Sequence, residues 1–434
     1  MLEGGEQKRE VVIQLSPAAA VEGKVTGEEG EPLSGCSVSL MRYLHLSTGV
    51  GGGERRMVAR GNATTNDLGE YRVFDLPPGR YYVRTHCRTP QAASQEVYQD
   101  LFHPGVPALE GAAQLRLAAG AEVTGIDFRM RRIKAVTIEG KLSIPAVANL
   151  RPEMFHVQLT GKAAGAEEMF RSGGQVMPAG EFRIVGVTPG EYTISARSGF
   201  GDRQYYGETD IIVGEKPPSA VSLAAHPLPS IAGTVRFEGT PPPNREHLRV
   251  WLQPSVKGGC AGAEPGRIAA DGAFVLKNVQ PGECFVQLSG YSGYVKSVRL
   301  AGEPAQGLRV KVRPGSVGPL EIAASSLTGE LEGSVSGTSA GALMLLLAPK
   351  DGQGQLRLHT GEAGRPFRFS NLPPGEYRLF AFSGVQSVEG SSPELFKQLE
   401  SRAAAVKIDE GGRASAQMEA IPASVVLEAI EKIE

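Results

Sequence analysis

The 434-residue sequence lacks the features that most directly indicate a partner. Its 45 Lys and Arg residues nearly balance its 47 Asp and Glu residues, for a formal net charge of −2, whereas a nucleic-acid-binding protein carries a basic patch or stripe. No apolar run approaches the ~18–20 residues of a membrane-spanning helix. The first ten residues, MLEGGEQKRE, are polar and do not resemble a secretory signal. We therefore expect no nucleic-acid partner and no membrane insertion of this chain.

Motifs for metal, phosphate and redox chemistry are missing as well. The sequence has no Cys-x-x-Cys pair, EF-hand loop or P-loop. The segment His359-Thr360-Gly361-Glu362 has the His-x-x-Glu spacing of a zinc site, but none of the seven histidines follows it to complete a ligand set. We predict a protein that is not an enzyme, with no catalytic residues, metal or cofactor.

Glycine and proline are abundant, at 56 and 30 residues, and they mark an internal repeat. The repeat is recognised by four short turns whose glycines are roughly 90 to 110 residues apart. They are LPPG at 76–79, TPG at 188–190, QPG at 280–282 and LPPG at 372–375. Apolar residues alternate on both sides of each turn, which predicts two half-buried strands. Because Pro presets φ and Gly accepts a positive φ, we expect a type II turn between them.

Each copy contains further short strands. A first strand has the pattern apolar-x-Gly-x-apolar: VEGKV (21–25), IEGKL (138–142), IAGTV (231–235) and LEGSV (331–335). A closing strand follows the turn: GIDFRM (125–130), AVSLAA (220–225), LRVKV (308–312) and ASAQMEA (414–420). Short strands with regular Gly and Pro punctuation predict a β-sandwich in each copy.

The repeats divide the chain as follows. Four tandem sandwiches are assigned to residues 20–133, 134–225, 226–323 and 324–434, and we call them repeats 1 to 4. The segment VVIQL at 11–15 looks like a closing strand, so residues 1–19 are expected to end a preceding repeat or to form an N-terminal extension. In repeat 4, Ser392-Pro393-Glu394 predicts a short helix at about 393–402, and the C-terminal VVLEAIEKIE is expected to form a second helix or a strand.

The two best copies of the turn, GEYRVFDLPPGRYYV and RPFRFSNLPPGEYRL, resemble carboxypeptidase-regulatory-like modules. These transthyretin-like (prealbumin-like) domains are related in shape to the collagen-adhesin B-type repeats of secreted bacterial proteins. The resemblance implies an all-β protein of four tandem seven-stranded Greek-key β-sandwiches, transthyretin-like or immunoglobulin-like. It also implies an accessory role. The third copy departs from the pattern, with Cys284 in place of the usual Tyr.

The four cysteines fall two to a copy, Cys36 and Cys87 in repeat 1 and Cys260 and Cys284 in repeat 3. Cys36 begins its strand and Cys87 ends the strand after the turn, and in repeat 3 the two ends are reversed. If those strands lie antiparallel or face each other across the core, both pairs come close, so we predict two disulfides and an oxidising compartment. The alternative is that the cysteines are buried free thiols that act as small hydrophobic residues.

Four aromatic residues are candidate contacts with a ligand or with a neighbouring domain. The single Trp251 lies between Val250 and Leu252, which have inward parity, so its side chain should point outward. Tyr205, Tyr206 and Tyr294 lie after the turns of repeats 2 and 3. Packing against another domain and stacking on a sugar or peptide are both compatible with this pattern.

These features together predict a structural or adhesive spacer of a secreted or cell-envelope bacterial protein, located outside the cell or in the periplasm. Its expected partners are neighbouring domains of a longer chain. The alternative is a carbohydrate- or peptide-binding module whose partner is a glycan or peptide.

Overall fold

A computed structural model describes residues 17–46, 54–88, 96–147, 149–162, 171–198, 203–255, 259–313, 318–337, 342–351, 356–384 and 393–433. The chain divides into two compact units, one of Met1–Arg42 with Val58–Ala135 and the other of Tyr43–Met57 with Val136–Glu434. The predicted strand at 11–15 lies outside the described residues. No helix in the described ranges is long and apolar enough to cross a membrane.

Repeat 1 lies in the first unit except for residues 43–57, which belong to the second. Its strands are β1 (Ala19–Thr26), β2 (Ser37–Leu46), β3 (Glu54–Thr64), β4 (Glu70–Leu76), β5 (Gly79–His86), β6 (Glu96–Tyr98), β7 (Leu101–Phe102), β8 (Leu115–Leu117), β9 (Glu122–Val123), β10 (Phe128–Arg129) and β11 (Arg132–Lys134), with a 3₁₀ turn at Leu109–Gly111. One sheet has the order β10-β1-β4, with β9 also on β1. The other has the order β3-β2-β5-β7, with β8 also on β5, and β6 pairs with β11.

Repeats 2 and 3 lie in the second unit. Repeat 2 consists of β12 (Val136–Ser143), β13 (Phe155–Gly161), β14 (Arg171–Gln175), β15 (Glu181–Val187), β16 (Gly190–Ser198), β17 (Tyr205–Val213), β18 (Val221–Ala224) and β19 (His226–Pro227), with a 3₁₀ turn at Pro152–Met154. Repeat 3 consists of β20 (Ile231–Glu238), β21 (Arg249–Pro254), β22 (Gly266–Arg267), β23 (Ala273–Leu276), β24 (Gly282–Ser289), β25 (Tyr294–Leu300), β26 (Glu303–Pro304), β27 (Arg309–Val312) and β28 (Leu320–Ser325).

Repeat 4 adds two helices to the same plan. Its elements are β29 (Gly329–Ser336), β30 (Ala342–Pro349), β31 (Arg357–Glu362), β32 (Pro366–Leu372), β33 (Gly375–Ser383), α1 (Pro393–Gln398), a 3₁₀ turn at Glu400–Arg402, β34 (Ala404–Ile408), β35 (Arg413–Glu419), β36 (Ile421–Pro422) and α2 (Ala423–Ile433). The predicted helix near 393 is confirmed, and the C-terminal segment is a helix.

The four repeats share one arrangement of strands. In each, the first strand is paired antiparallel with the strand before the turn and parallel with a closing strand. The second sheet is built around the strand after the turn. A cluster of buried apolar residues from each repeat lies between its two sheets. The all-β sandwich class is confirmed, while the number of independent domains and their boundaries stay predictions.

The closing strand of repeat 3 differs from the prediction. The predicted segment, 308–312, forms β27, which pairs with β24 in the other sheet. The strand that lies parallel to β20 is β28, Leu320–Ser325, and the predicted boundary at 323 falls inside it. Both segments alternate apolar and polar residues, and alternation identifies a half-buried strand without saying which sheet it joins. The assignment of 308–312 was therefore wrong.

None of the four Pro-Gly turns is a type II turn, and Gly190 lacks even the positive φ that such a turn needs. Gly79, Gly282 and Gly375 have φ of 150°, 137° and 155°, well above the roughly 80° of a type II turn. The left-handed residue instead lies four positions earlier, where φ is 55° to 74°: Asp75, Gly186, Asn278 and Asn371. Gly, Asn and Asp are the residues that adopt this conformation most readily. In repeats 1, 2 and 4 the pairing with the first strand shifts register here, as in a β-bulge.

The apolar run LMLLL explains why helices are attached to repeat 4. Alternate residues such as Leu345 and Leu347 face the sandwich core. Their neighbours on the opposite face, including Leu346, form a second buried cluster that α1 and α2 cover. The uninterrupted run is therefore a strand buried on both faces.

Candidate functional site

A tyrosine two residues after the turn glycine holds the turn in three repeats. Each hydroxyl donates a hydrogen bond to the carbonyl of the residue four positions earlier: Tyr81 to Pro77 (2.7 Å), Tyr192 to Thr188 (2.9 Å) and Tyr377 to Pro373 (2.7 Å). The three rings are buried. This contact resembles the tyrosine corner of immunoglobulin-type sandwiches, and such a bond contributes about 0.5–1.5 kcal/mol.

In repeat 3 a disulfide occupies the place of this contact. Cys284 stands at the tyrosine position and is bonded to Cys260, and both residues are buried. The backbone N–H of Cys260 donates to the carbonyl of Gln280 at 2.9 Å, and Gln280 is the equivalent of Pro77, Thr188 and Pro373. A backbone amide held by a covalent bond therefore caps the carbonyl that a phenol caps in the other repeats.

The second predicted disulfide, Cys36–Cys87, is also present, with a Cα–Cα distance of 4.2 Å. It extends the antiparallel pairing of β2 with β5, in which Ser37 lies opposite His86. Both cysteines are buried in the repeat 1 core. The sequence placed Cys36 at the start of one strand and Cys87 at the end of the other. In an antiparallel pair these two ends are adjacent, so the thiols meet.

Repeats 2 and 3 are joined at the loop that carries Cys260. The Arg197 guanidinium donates to the carbonyl of Ala261 at 3.2 Å, next to the disulfide. The backbone N–H of Gln204 donates to the side-chain oxygen of Asn278 at 2.9 Å, and Asn278 is buried. The disulfide therefore fixes a loop that touches the preceding repeat.

A backbone bond at the end of the parallel ladder recurs in all four repeats. The N–H just beyond the paired part of each closing strand donates to the carbonyl at the end of the first strand: Met130 to Thr26 (2.8 Å), Ala225 to Ser143 (2.9 Å), Ser326 to Glu238 (3.1 Å) and Ala420 to Ser336 (3.0 Å). The first strand and the closing strand of each repeat are thus bonded side by side and run in the same direction.

The predicted aromatic contacts separate into two groups. Trp251 points outward, as its parity indicated, and is 36% exposed between the buried Val250 and Leu252. Tyr205, by contrast, is buried in the core of repeat 2 against Phe155, so its ring is not placed to contact a ligand or another domain, contrary to the prediction. β17 places Tyr205 on the inward face. Its neighbour Tyr206 is half-buried and donates to the Glu208 carboxylate.

Tyr294 lines a cleft between repeats 3 and 4 with a volume of about 710 Å³. Gln287 also lines it, and Gln287 is the direct cross-strand neighbour of Trp251 on the same face of the sheet. Trp251 does not line the cleft itself, but it lies opposite one of the lining residues. Sequence reasoning missed this cleft because its two walls come from different repeats.

An ion-paired cluster in repeat 1 involves Asp100. The Arg84 guanidinium donates to one Asp100 oxygen, and His86 Nδ1 lies 2.7 Å from the other. Burial favours the neutral acid, but the contacts with His86 and Arg84 outweigh it and hold the pKa of Asp100 below its ordinary value. Across the described ranges, no group of three His, Cys, Asp or Glu residues is arranged to hold a metal ion.

One further motif was missed in the sequence. Residues 337–341 read GTSAG, the Gly-x-Ser-x-Gly pattern of a nucleophile elbow, which needs a strand-to-helix turn. Here the segment connects two strands, β29 and β30, and residues 338–341 lie outside the described part of the chain. The motif lacks the structural context on which that chemistry depends.

The chain matches no protein-family model and no curated protein sequence. Similar solved structures include the Bacillus anthracis TIE protein, at 10% identity and a TM-score of 0.17 over 95% of this chain and 76% of that one. A streptococcal ancillary pilin has 11% identity and a TM-score of 0.23 over 71% and 99%. BcpA, the major pilin subunit of Bacillus cereus, has 12% identity and a TM-score of 0.17 over 93% and 99%. Similarity at this level assigns no function to this chain.

Proposed function

We propose that this chain is a non-catalytic, load-bearing array, a structural or adhesive spacer of a secreted or cell-envelope bacterial protein. Its repeats would be carboxypeptidase-regulatory-like sandwiches, in keeping with the motif resemblance. The two buried disulfides support an oxidising location outside the cytoplasm.

The observation that carries the proposal is the parallel pairing of the first and closing strands in every repeat. A pull on the two ends of such a repeat draws these strands in opposite directions along their own axes. All bonds of the ladder are then loaded together in shear. An antiparallel pair of terminal strands would instead be pulled from one end, and its bonds would break one after another. The arrangement therefore suits a domain that resists tension.

Single-molecule pulling of the full chain by its two ends tests this proposal. The variant Ala420→Pro removes the N–H that donates to the Ser336 carbonyl, and Ala420→Ser is the matched control that keeps it. We expect the proline variant to lower the force of one unfolding event and the serine variant to leave all events unchanged. If the chain extends without discrete events, or if both variants unfold at the same force, the load-bearing role is wrong.

The cleft beside Tyr294 favours ligand binding as a second function, because it joins aromatic, amide and charged side chains in one concave surface.

A further inference from the structure

The cleft between repeats 3 and 4 has the size of a ligand site. Its volume of about 710 Å³ lies within the roughly 300–1,000 Å³ of small-molecule pockets. The walls come from β24 and β25 on one side and from the turn and strands of repeat 4 on the other. Ligand sites form preferentially at such boundaries between structural units.

Cationic side chains in the cleft lining outnumber carboxylates by one: Lys296, Lys350 and Arg357 against Asp351 and Glu376. Lys350 is paired with Glu376 at 2.7 Å, and Lys296 is paired with Glu238 at 2.6 Å. Arg357 also lines the cleft and makes no ion pair with the described part of the chain. Its guanidinium acts on the nearby hydroxyl of Tyr377: burial raises the pKa of Tyr377 to about 12, Arg357 opposes that rise, and the Asp351 carboxylate adds to it. A planar guanidinium in this position matches a carboxylate, which it can bind through two parallel hydrogen bonds.

The rest of the lining suits a sugar ring. Tyr294 is the partly exposed aromatic residue of the lining, and Trp251 is the cross-strand neighbour of another lining residue, Gln287. The side-chain N–H of Gln287 donates to the side-chain oxygen of Gln253 at 3.1 Å. This bond leaves the side-chain oxygen of Gln287 as the acceptor for a ligand. Sugars present both C–H faces, which pack on aromatic rings, and hydroxyls, which bond amides and carboxylates.

We propose that this cleft binds an acidic saccharide, with the carboxylate of a uronic acid on Arg357 and the sugar ring against Tyr294. Trp251, opposite the lining residue Gln287, serves as a nearby reporter. This binding function is independent of the load-bearing function, because Arg357 belongs to β31 and not to any parallel terminal ladder.

The test uses the full chain and its own fluorophore. Trp251 is the single tryptophan, so a change in tryptophan emission reports on this region alone. Three probes are titrated by fluorescence and calorimetry: a tetrasaccharide alternating glucuronate and N-acetylglucosamine, the same tetrasaccharide with its carboxyls reduced, and an acidic tetrapeptide. We expect binding of the first probe, with the dissociation constant raised about ten- to a hundredfold by carboxyl reduction, the loss of a charge-assisted contact.

Variants connect the binding to the cleft. Arg357→Gln should raise the dissociation constant of the acidic tetrasaccharide by the same factor and leave thermal unfolding unchanged. The matched control is Arg365→Gln, since Arg365 is exposed, is paired with Glu362 and does not line the cleft. Trp251→Phe should abolish the fluorescence change and keep the calorimetric signal. Equal effects of the two arginine variants, equal binding of the carboxyl-reduced sugar, preference for the peptide, or no binding of any probe would each overturn the proposal.

Discussion

Reduction of the two disulfides should lengthen two unfolding steps of the stretched chain by different, calculable amounts. The Cys36–Cys87 bond connects residues 51 apart, and the Cys260–Cys284 bond connects residues 24 apart. In the oxidised protein those segments stay closed when their repeats unfold. An extended chain spans roughly 3.3–3.6 Å per residue, so reduction should release about 170–185 Å in one step and about 80–85 Å in another.

The assay is constant-velocity pulling of the same chain before and after treatment with a reductant. The native end-to-end distance of each repeat contributes equally to both measurements, so the difference in contour length depends on the disulfides alone. Steps from repeats 2 and 4 should not change, because all four cysteines lie in repeats 1 and 3. Two double variants assign the steps, Cys36→Ala with Cys87→Ala for the long increment and Cys260→Ala with Cys284→Ala for the short one.

Two outcomes contradict this reasoning. If reduction leaves every step unchanged, the cysteines are not bonded within their repeats. If the increments match neither loop, the pairing is not the one in the structure, because exchanged partners would join repeats 1 and 3 and close loops of other lengths.

Three further predictions concern stability. Replacing one turn tyrosine by Phe should lower the free energy of unfolding by about 0.5–1.5 kcal/mol in urea titrations of the variants Tyr81→Phe, Tyr192→Phe and Tyr377→Phe; no loss in any of them would contradict the hydrogen bond. At Asn371, where φ is 56°, Ala should cost about 1–2 kcal/mol and Gly almost nothing, and equal stability of the two variants would count against a left-handed residue there. Since the pKa of Asp100 is lowered by folding, its stabilising effect should be complete above about pH 4 and be lost as pH falls through the lowered value; the variant Asp100→Asn should show a weaker acid dependence in thermal unfolding, and an unchanged pH profile would refute this.

The fold could be predicted from local sequence to a large extent. Period-2 alternation around the Pro-Gly turns located the hairpin strands, and the four copies supported one another. The parity of Trp251 relative to its neighbours gave its outward direction correctly, because a strand reverses side with every residue. The cysteine pairs were also predictable. The two cysteines of each repeat lie at opposite ends of two strands, and these ends are adjacent when the strands run antiparallel.

Other features depend on pairing that the sequence does not encode locally. The segment 308–312 alternates as well as Leu320–Ser325 does, and only the three-dimensional pairing shows which of them joins the first sheet. Tyr205 and Tyr206 are adjacent and chemically alike, yet one is in the core and the other half-buried. One available signal was overlooked: the series Asp, Gly, Asn and Asn four residues before the turn glycines indicates a left-handed residue.

The disulfide of repeat 3 fixes two parts of the structure, whereas the tyrosine hydroxyl in the other repeats fixes only the turn. By chain entropy alone, closing 24 residues contributes about 3.5 kcal/mol and closing 51 contributes about 4 kcal/mol. The two disulfides therefore stabilise the folded protein by similar amounts through this effect. Their positions distinguish them. A tyrosine at 284 could reach the Gln280 carbonyl as its counterparts do, but it would leave the loop around Cys260 unattached. With the disulfide, the same loop caps Gln280 and presents the Ala261 carbonyl to Arg197 of the preceding repeat. The covalent bond therefore stabilises both the turn within repeat 3 and its junction with repeat 2, as the proposed load-bearing role requires.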